Sequence, residues 1–490
     1  MKERRSIHEE MFLEMEEKTI FNQAQEYAYE YLDKAFKRHV FPTENAIEGL
    51  AYFDEDMPES PTKSSDVLEA LKTYGSPATV SQIGGRYFGF VCGGIVPAGL
   101  AAKWLADFWD QNSAMHVLSP IASKLETIVE KWLRQLFHLP ERTAAGFVSG
   151  SSSATFCGLA AARYRVLNKL GWDVNEKGLF RSPRIRIVVS KHAHSSVIKA
   201  IGLLGFGKEN IEWVDVDTQG RVLPGLIPEL DESIILVLVL QAGNVNSGAF
   251  DAFEEICEKA NTANAWVHID GAFGLWAGAV EKLRYLTNGI EKANSWAVDG
   301  HKTLNTPYDC GIVLCEDREA LVSSLHMTGP YIILSEVERD GMLFTPEMSR
   351  RARIIELWAT MKYLGKKGID ELVYGLHERA VQFAHELQAN DFEVLNDVVF
   401  NQVLVYCGTD ELTTKTLKRV QDMRECWCGG SIWDNRNVIR ISVCSWATTS
   451  EDISRSVKSF VRARNEIQET RHGIALTQTP LMPYIAADNT

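Results

Sequence analysis

Between Ala144 and Cys315 short apolar runs alternate with segments of helical periodicity, and this alternation leaves few folds open. Ala144 to Val148 precedes a helical stretch at Ala154 to Lys169, and Ile185 to Ser190 precedes Ser195 to Leu204. Glu212 to Val216 stands next, and Ile234 to Gln241 precedes Ala252 to Ala263. Trp266 to Ile269, Trp296 to Val298 and Gly311 to Cys315 complete the set. Ile234 to Leu240 is apolar at every position, the pattern of a strand buried on both faces rather than one. The alternation predicts an α/β domain with a mainly parallel sheet and helices on both faces. Ligands of such sheets collect at the carboxyl ends of the strands, so the residues that follow each run are where chemistry is sought.

The flanking regions read differently. Residues 9–40 have helical character, 45–65 form a polar connector containing Pro58 and Pro61, and Ser65 to Tyr74 is a further helix. This part has little core of its own and is expected to pack on a partner subunit. The segment GGRYFGFVCGGIVPAG begins at Gly84 and suits either a packed loop or a pocket wall. Ser119 as cap and Pro120 at the first position open a helix to about Phe137. After Cys315, Thr328 to Glu347 reads as mobile, and a helix is expected over Met348 to Leu364. From Gly368 the order helix, strand, strand, helix, strand, strand, helix describes a small α+β domain, followed by an aperiodic tail from Gly473. The expected division is a helical segment over 1–82, a large domain over 83–365 and a small C-terminal domain over 366–490.

Charge and composition narrow the partners. A net charge of −14 disfavours nucleic acid and acidic membranes. The N-terminus, MKERRSIHEEMFLEMEEK, lacks the apolar core of a signal peptide, and Ile234 to Leu240 is too short to cross a bilayer. Nine scattered cysteines, an odd number, suit a reduced cytoplasmic chain. Cys426 and Cys428 have no second pair at zinc-like spacing, so no metal is expected.

Four strand ends carry polar chemistry. Ser149-Gly150-Ser151-Ser152-Ser153 stands before a helix, where hydroxyls and terminal amides can hold an anion. Lys191-His192-Ala193-His194-Ser195 offers a histidine either to cap the next helix or to cover a flat ligand. Asp270 closes an apolar strand in WVHIDGAFG, a costly place for a carboxylate without a cationic partner. Lys302 follows Trp296 to Val298 in SWAVDGHKT. Its amine is nucleophilic only after losing a proton, a loss that partial burial near cations favours. A lysine for an aldehyde, a carboxylate for a ring nitrogen, an anion cradle and a flat cover together match the needs of pyridoxal 5'-phosphate.

At GRYFGF (85–90), LETIVEKWL (125–133), GSSSATFCGLAAAR (150–163), HAHSSVIKA (192–200), AGNVNSGAFD (242–251), HIDGAFG (268–274), DGHKTLNTPYDCG (299–311) and MSRRAR (348–353) the chain resembles the group II pyridoxal-phosphate-dependent amino-acid decarboxylases. The resemblance implies a lyase of fold type I, with the active site at a homodimer interface. It places Lys302 as the aldimine lysine, Asp270 at the pyridine nitrogen, Ala272 near the ring and His194 stacked upon it. Ser151 and Ser152 hold the phosphate with His301 close by, and Asn246 stands where the family often has threonine. The implied reaction takes an L-amino acid to an amine and carbon dioxide.

Two departures bear on the outcome. The family's mobile loop usually offers a tyrosine that assists protonation at the substrate Cα. The corresponding LSEVERDGMLFTPEMSRR has none between Leu334 and Arg351; Gly341 or Met342 falls near that position, and Tyr331 lies earlier. Aldehyde formation coupled to decarboxylation, transamination or another carbon-bond lyase reaction therefore stays open, as does a non-catalytic binding homologue. The segment around Gly93, Asn112 and Ala114 is small and polar, which argues against a bulky aromatic substrate. Arg351 and Arg440 are the candidates for binding a carboxylate.

Overall fold

The computed structural model describes residues 5–230, 236–327, 332 and 334–477, with side chains described through 469. Seven strands form its central sheet: β1 (Ala144–Val148), β2 (Arg186–Ser190), β3 (Ile211–Val214), β4 (Leu236–Gln241), β5 (Trp266–Asp270), β6 (Ser295–Asp299) and β7 (Gly311–Cys315). Their order is β1-β7-β6-β5-β4-β2-β3. Strands β2 to β6 are parallel to their neighbours within that group, and β7 runs antiparallel to both β6 and β1. The mainly parallel sheet is therefore present; Ile234 and Ile235 of the expected fourth run lie outside the described residues.

Helices α1 (Ile7–Glu17), α2 (Thr19–Ala35), α3 (Glu44–Glu48) and α4 (Ser64–Ala70) precede the sheet, followed by α5 (Pro97–Trp109) and α6 (Pro120–Phe137). Between the strands run α7 (Ser151–Asn168), α8 (Val174–Lys177), α9 (Ser195–Leu203) and α10 (Phe253–Thr262), and α11 (Arg318–Leu325) follows β7. The C-terminal part adds α12 (Ile354–Gln388), β8 (Glu393–Val394), β9 (Gln402–Tyr406), α13 (Asp410–Met423), β10 (Gly429–Trp433), β11 (Arg436–Ser442) and α14 (Ser450–Thr477). Its four strands form a second, antiparallel sheet ordered β10-β11-β9-β8, with Phe383, Val405, Ile439 and Phe460 in its core.

The fully apolar β4 is explained by what covers it. Leu236, Leu238 and Leu240 join one core with Val129 and Leu133 of α6 and Phe253 of α10, whereas Val237 and Val239 join another with Ala154 and Leu159 of α7. Burying each such side chain is worth about 1.5–3 kcal/mol, so neither face tolerates a polar residue cheaply. Ser119 caps α6 by accepting from Ala122 N at 3.4 Å, with Pro120 at the first helical position, as the sequence predicts.

Two expectations need correction. Helix α12 begins at Ile354 rather than Met348, because Ser113 N donates to the Arg350 carbonyl at 3.0 Å and Asn112 pairs with Arg351 as an isolated bridge, holding 350–351 extended. It then runs past Leu364 to Gln388, leaving helical geometry only at Gly365 (φ 58°). The segment read as mobile is anchored from Arg339 onward. Arg339 bonds Glu126 at 2.9 Å and Glu130 at 2.7 Å, Asp340 accepts from His116 N at 2.8 Å, and Met342 N donates to Ala114 O at 2.8 Å. Residues 328–331 and 333, Tyr331 among them, and 478–490 of the tail lie outside the described residues; α14 extends through the start of that tail to Thr477.

Candidate active site

Register decides which side chains meet. Gln241 pairs with Asp270 and Asp270 with Ala297, so the carboxyl ends of β4, β5 and β6 lie level. On the other side Asp299 pairs with Gly311 and Gly311 with Val148, so the end of β1 and the start of α7 come beside the end of β6. That approach needs Gly311: a Cβ there would lie 2.3 Å from the Gly150 Cα. Lys302, three residues beyond β6, thus stands between α7 and the β4–β5 edge. Gly93 packs on its backbone, where a Cβ would meet the Lys302 carbonyl oxygen at 2.1 Å.

Lys302 Nζ lies 2.9 Å from Asp299 Oδ2. Burial pushes its ammonium down, but the charge and hydrogen bond of Asp299, with Asp270 behind it, more than reverse this, and the amine is held above the ordinary lysine range. The expectation that cations help strip its proton is overturned, because the nearest charges are carboxylates. Asp299 is 1% exposed and its Oδ1 accepts Ser151 N–H at 2.5 Å. It did not figure among the sequence candidates, although the signal that marks Asp270, a carboxylate closing an apolar strand, applies to it equally.

Asp270 is buried and accepts one hydrogen bond, from Ala272 N at 3.2 Å. Among the described residues it makes no ion pair. Burial pushes its carboxyl up, with His194 and Lys302 opposing. His194 caps α9: its Nδ1 accepts from Ser196 N at 3.2 Å and meets the Ser196 hydroxyl at 2.8 Å. The residue is exposed overall, and desolvation lowers its pKa against the pull of Asp270. Capping and facing the site are therefore compatible for this ring. His301 is buried; its Nδ1 accepts from Cys310 N at 3.0 Å, leaving Nε2 3.7 Å from Asp299 Oδ2. Burial is the main cause of its lowered pKa. Ser151 is buried and Ser152 exposed at the first turn of α7, whose amides have no partners within the helix.

Asn246 does not present its amide oxygen to the strand ends; that oxygen accepts from Ser431 Oγ at 2.8 Å, linking the two sheets. On the same stretch the buried Gln241 Nε2 and Asn244 Nδ2 have no hydrogen-bond partner among the described residues, nor does Arg440 Nε on β11. Of the two carboxylate-binding candidates, Arg351 is engaged by Asp309 at 2.7 Å and by Glu356. Asn112 is likewise spent within the chain, its Oδ1 accepting from Ala114 N at 3.0 Å and Arg350 N at 3.3 Å. Among the described residues, a buried carboxylate without an ion pair, buried amides without acceptors and a helix start whose amides are only partly used fit a flat, cationic, phosphate-bearing group beside a lysine. Among the described residues no cluster of metal ligands is present.

Fold and site together define the pyridoxal-phosphate enzymes of fold type I. The chain belongs to the pyridoxal-dependent decarboxylases: the model of the pyridoxal-dependent decarboxylase conserved domain matches residues 48–406. It is similar to L-2,4-diaminobutyrate decarboxylase of Rhizobium meliloti (strain 1021), 26% identical over 449 residues, 87% of this chain and 88% of the relative. It is also similar to aromatic-L-amino-acid decarboxylase of Bacillus atrophaeus, 25% identical over 437 residues, 84% of this chain and 88% of the relative. In fold it resembles the crystal structure of Oryza sativa TDC with PLP and tryptamine, with a TM-score of 0.85 at 20% identity, covering 92% of this chain and 98% of that one. The chain is thus a pyridoxal-phosphate-dependent carboxy-lyase of amino acids.

Proposed function

We propose that the protein converts one L-amino acid into its amine and carbon dioxide with pyridoxal 5'-phosphate carried on Lys302. The observation that carries this assignment of the site is Asp270, a buried carboxylate that makes no ion pair among the described residues, at the strand edge facing Lys302. When bound, the cofactor supplies an electron sink for the pair left at Cα as carbon dioxide departs. Asp270 keeps negative charge at the ring nitrogen and so favours its protonated form. Ser151, Ser152 and the α7 amides that Asp299 leaves free would cradle the phosphate beside His301. His194 would cover one ring face and Ala272 would lie near the ring, with Asn246 steadying that wall through its bond from Ser431. Arg440, which donates to Val245 O at 3.3 Å and whose buried Nε has no partner among the described residues, is the better placed of the two arginines to orient a substrate carboxylate.

A second copy of the chain belongs to this proposal. Helix α1 buries none of its residues, and Phe12 and Met15 are each 60% exposed, a surface that a partner subunit would cover to build shared sites. Among the described residues no helix is long and apolar enough to cross a membrane; a cytoplasmic location is proposed with the reduced thiols.

The test is a product screen. The protein, loaded with pyridoxal phosphate, is incubated with each common L-amino acid, and carbon dioxide, amine, ammonia and peroxide are measured. Equal carbon dioxide and amine from one substrate are expected. Carbon dioxide accompanied by ammonia and peroxide would transfer the assignment to aldehyde formation, and no carbon dioxide from any amino acid would overturn the proposal.

A further inference from the structure

We propose that Asp299 sets the proton on Lys302 and ties that amine to the start of α7. Both carboxylate oxygens are used. Oδ2 lies 2.9 Å from Lys302 Nζ, and Oδ1 accepts Ser151 N–H at 2.5 Å. The backbone is fixed as well: Asp299 N donates to Ala272 O at 2.9 Å, and Trp276 Nε1 donates to Asp299 O at 2.8 Å. With 1% exposure the group cannot turn toward water, so its charge acts on its two neighbours undiluted.

The residue is a positioning one, acting through Lys302. An ammonium cannot attack a carbonyl, so whatever holds the proton on Nζ governs how readily the lysine takes up an aldehyde. An ion pair at 2.9 Å favours the charged form and aims Nζ toward the α7 cradle at the same time. Asp270 from β5 also faces the amine and adds to the effect. The other titratable groups around the pair are His194 at the start of α9, His301 beside it, Tyr308 and Cys310 on the following loop, and Cys444 after β11. Burial holds the thiols and the phenol protonated near neutral pH, so they add no negative charge beside the pair.

This inference deepens the assignment of Lys302 as the cofactor lysine and rests on it, but its test needs neither cofactor nor substrate. Cofactor-free protein is acylated with acetic anhydride across pH 7–11, and modification at Lys302 is quantified by peptide mass spectrometry. Asp299→Asn keeps an oxygen for the Ser151 amide while removing the charge. We expect about tenfold more acylation of Lys302 at pH 8 in this variant, and a smaller gain in Asp270→Asn, which makes no ion pair with the lysine. Stirring pyridoxal phosphate into each protein and following absorbance should show faster loading for Asp299→Asn at pH 7. An unchanged acylation curve in a variant that melts like the wild type would overturn the inference. Should the variant not fold, the wild-type curve decides alone: a Lys302 midpoint at or below the ordinary lysine value of about 10.4 overturns it, and one clearly above supports it. Neither overturning result touches the product screen, which stands or fails separately.

Discussion

Asp270→Asn isolates the electrostatic part of the proposed chemistry. The substitution is nearly isosteric, and Asn retains an oxygen for the 3.2 Å bond from Ala272 N, so the end of β5 should keep its shape. What it removes is a full negative charge at a position that is 5% exposed and shared with no arginine or lysine ion pair among the described residues. An opposite charge in close contact shifts the pKa of its partner by about 1–3 units. At 1.36 kcal/mol per unit, removing it weakens ring-nitrogen protonation by about 1.4–4 kcal/mol. If that energy is expressed fully in the barrier, kcat falls by about 10- to 1000-fold. The assay is carbon dioxide release at saturating substrate, with cofactor content read from absorbance on the same samples. The expected variant keeps its cofactor, within a few-fold in affinity, and loses turnover. A variant that retains cofactor and turns over within about threefold of the wild type would refute the role of Asp270, because a charge acting on the ring nitrogen cannot be deleted without cost.

Two further predictions concern the frame around the site. Glu126, 1% exposed, takes Arg339 at 2.9 Å and Arg350 at 2.8 Å; Glu126→Gln turns a donor toward one guanidinium and should cost about 3–5 kcal/mol in the first unfolding transition, with new protease cuts in 334–350. A loss under about 1 kcal/mol would show that the clamp does not hold that segment. Asp251, buried and accepting from Val222 N at 2.8 Å and Gln241 N at 2.7 Å, is pushed up to about 7 by burial. A carboxyl raised in the folded state contributes stability below its unfolded value of about 3.9 and loses it as pH rises through 7, on the order of 4 kcal/mol in all. Melts from pH 5 to 8 should therefore decline less steeply for Asp251→Asn than for the wild type; equal slopes would contradict the assignment.

Local patterns made the frame readable, and long-range register hid the rest. The β4 run announced a strand covered on both sides because each face needs apolar residues whatever its partners are. Ser119-Pro120 announced the start of α6 because capping is settled within a few residues. The anchoring of 339–350 could not be read in this way. Arg339 looks like one charge in an ERD run until α6, more than 200 residues earlier, brings Glu126 and Glu130 against it. The start of α12 was misplaced for the same reason, since Arg350 and Arg351 are held extended by residues 112–113. Of the site, the four strand ends were legible because a parallel sheet places its chemistry there. Asp299 carries the same strand-end signal, but its link to the start of α7 was not legible, because that depends on β1 lying next to β7, an order no local pattern encodes.

That order also explains why two carboxylates near one lysine do different work. Asp299 sits where antiparallel β7 brings the start of α7 beside β6, so donors of the chain itself, Ser151 N–H and Lys302 Nζ, use both its oxygens. Asp270 ends β5, one strand further into the sheet, where it pairs with Gln241 and Ala297 and, among the described residues, takes a hydrogen bond from Ala272 N alone. A buried carboxylate so poorly served is expensive in a fold optimised for itself alone. It suits a site whose paired cation comes with a ligand, since Lys302 is already bonded to Asp299. The asymmetry supports the proposed roles: the satisfied carboxylate for the lysine, and the less satisfied one for the ring. Exchanging the two demands, with Asp270→Asn beside Asp299→Asn, should therefore separate them cleanly: loss of turnover with cofactor retained in the first, and a shifted Lys302 titration in the second.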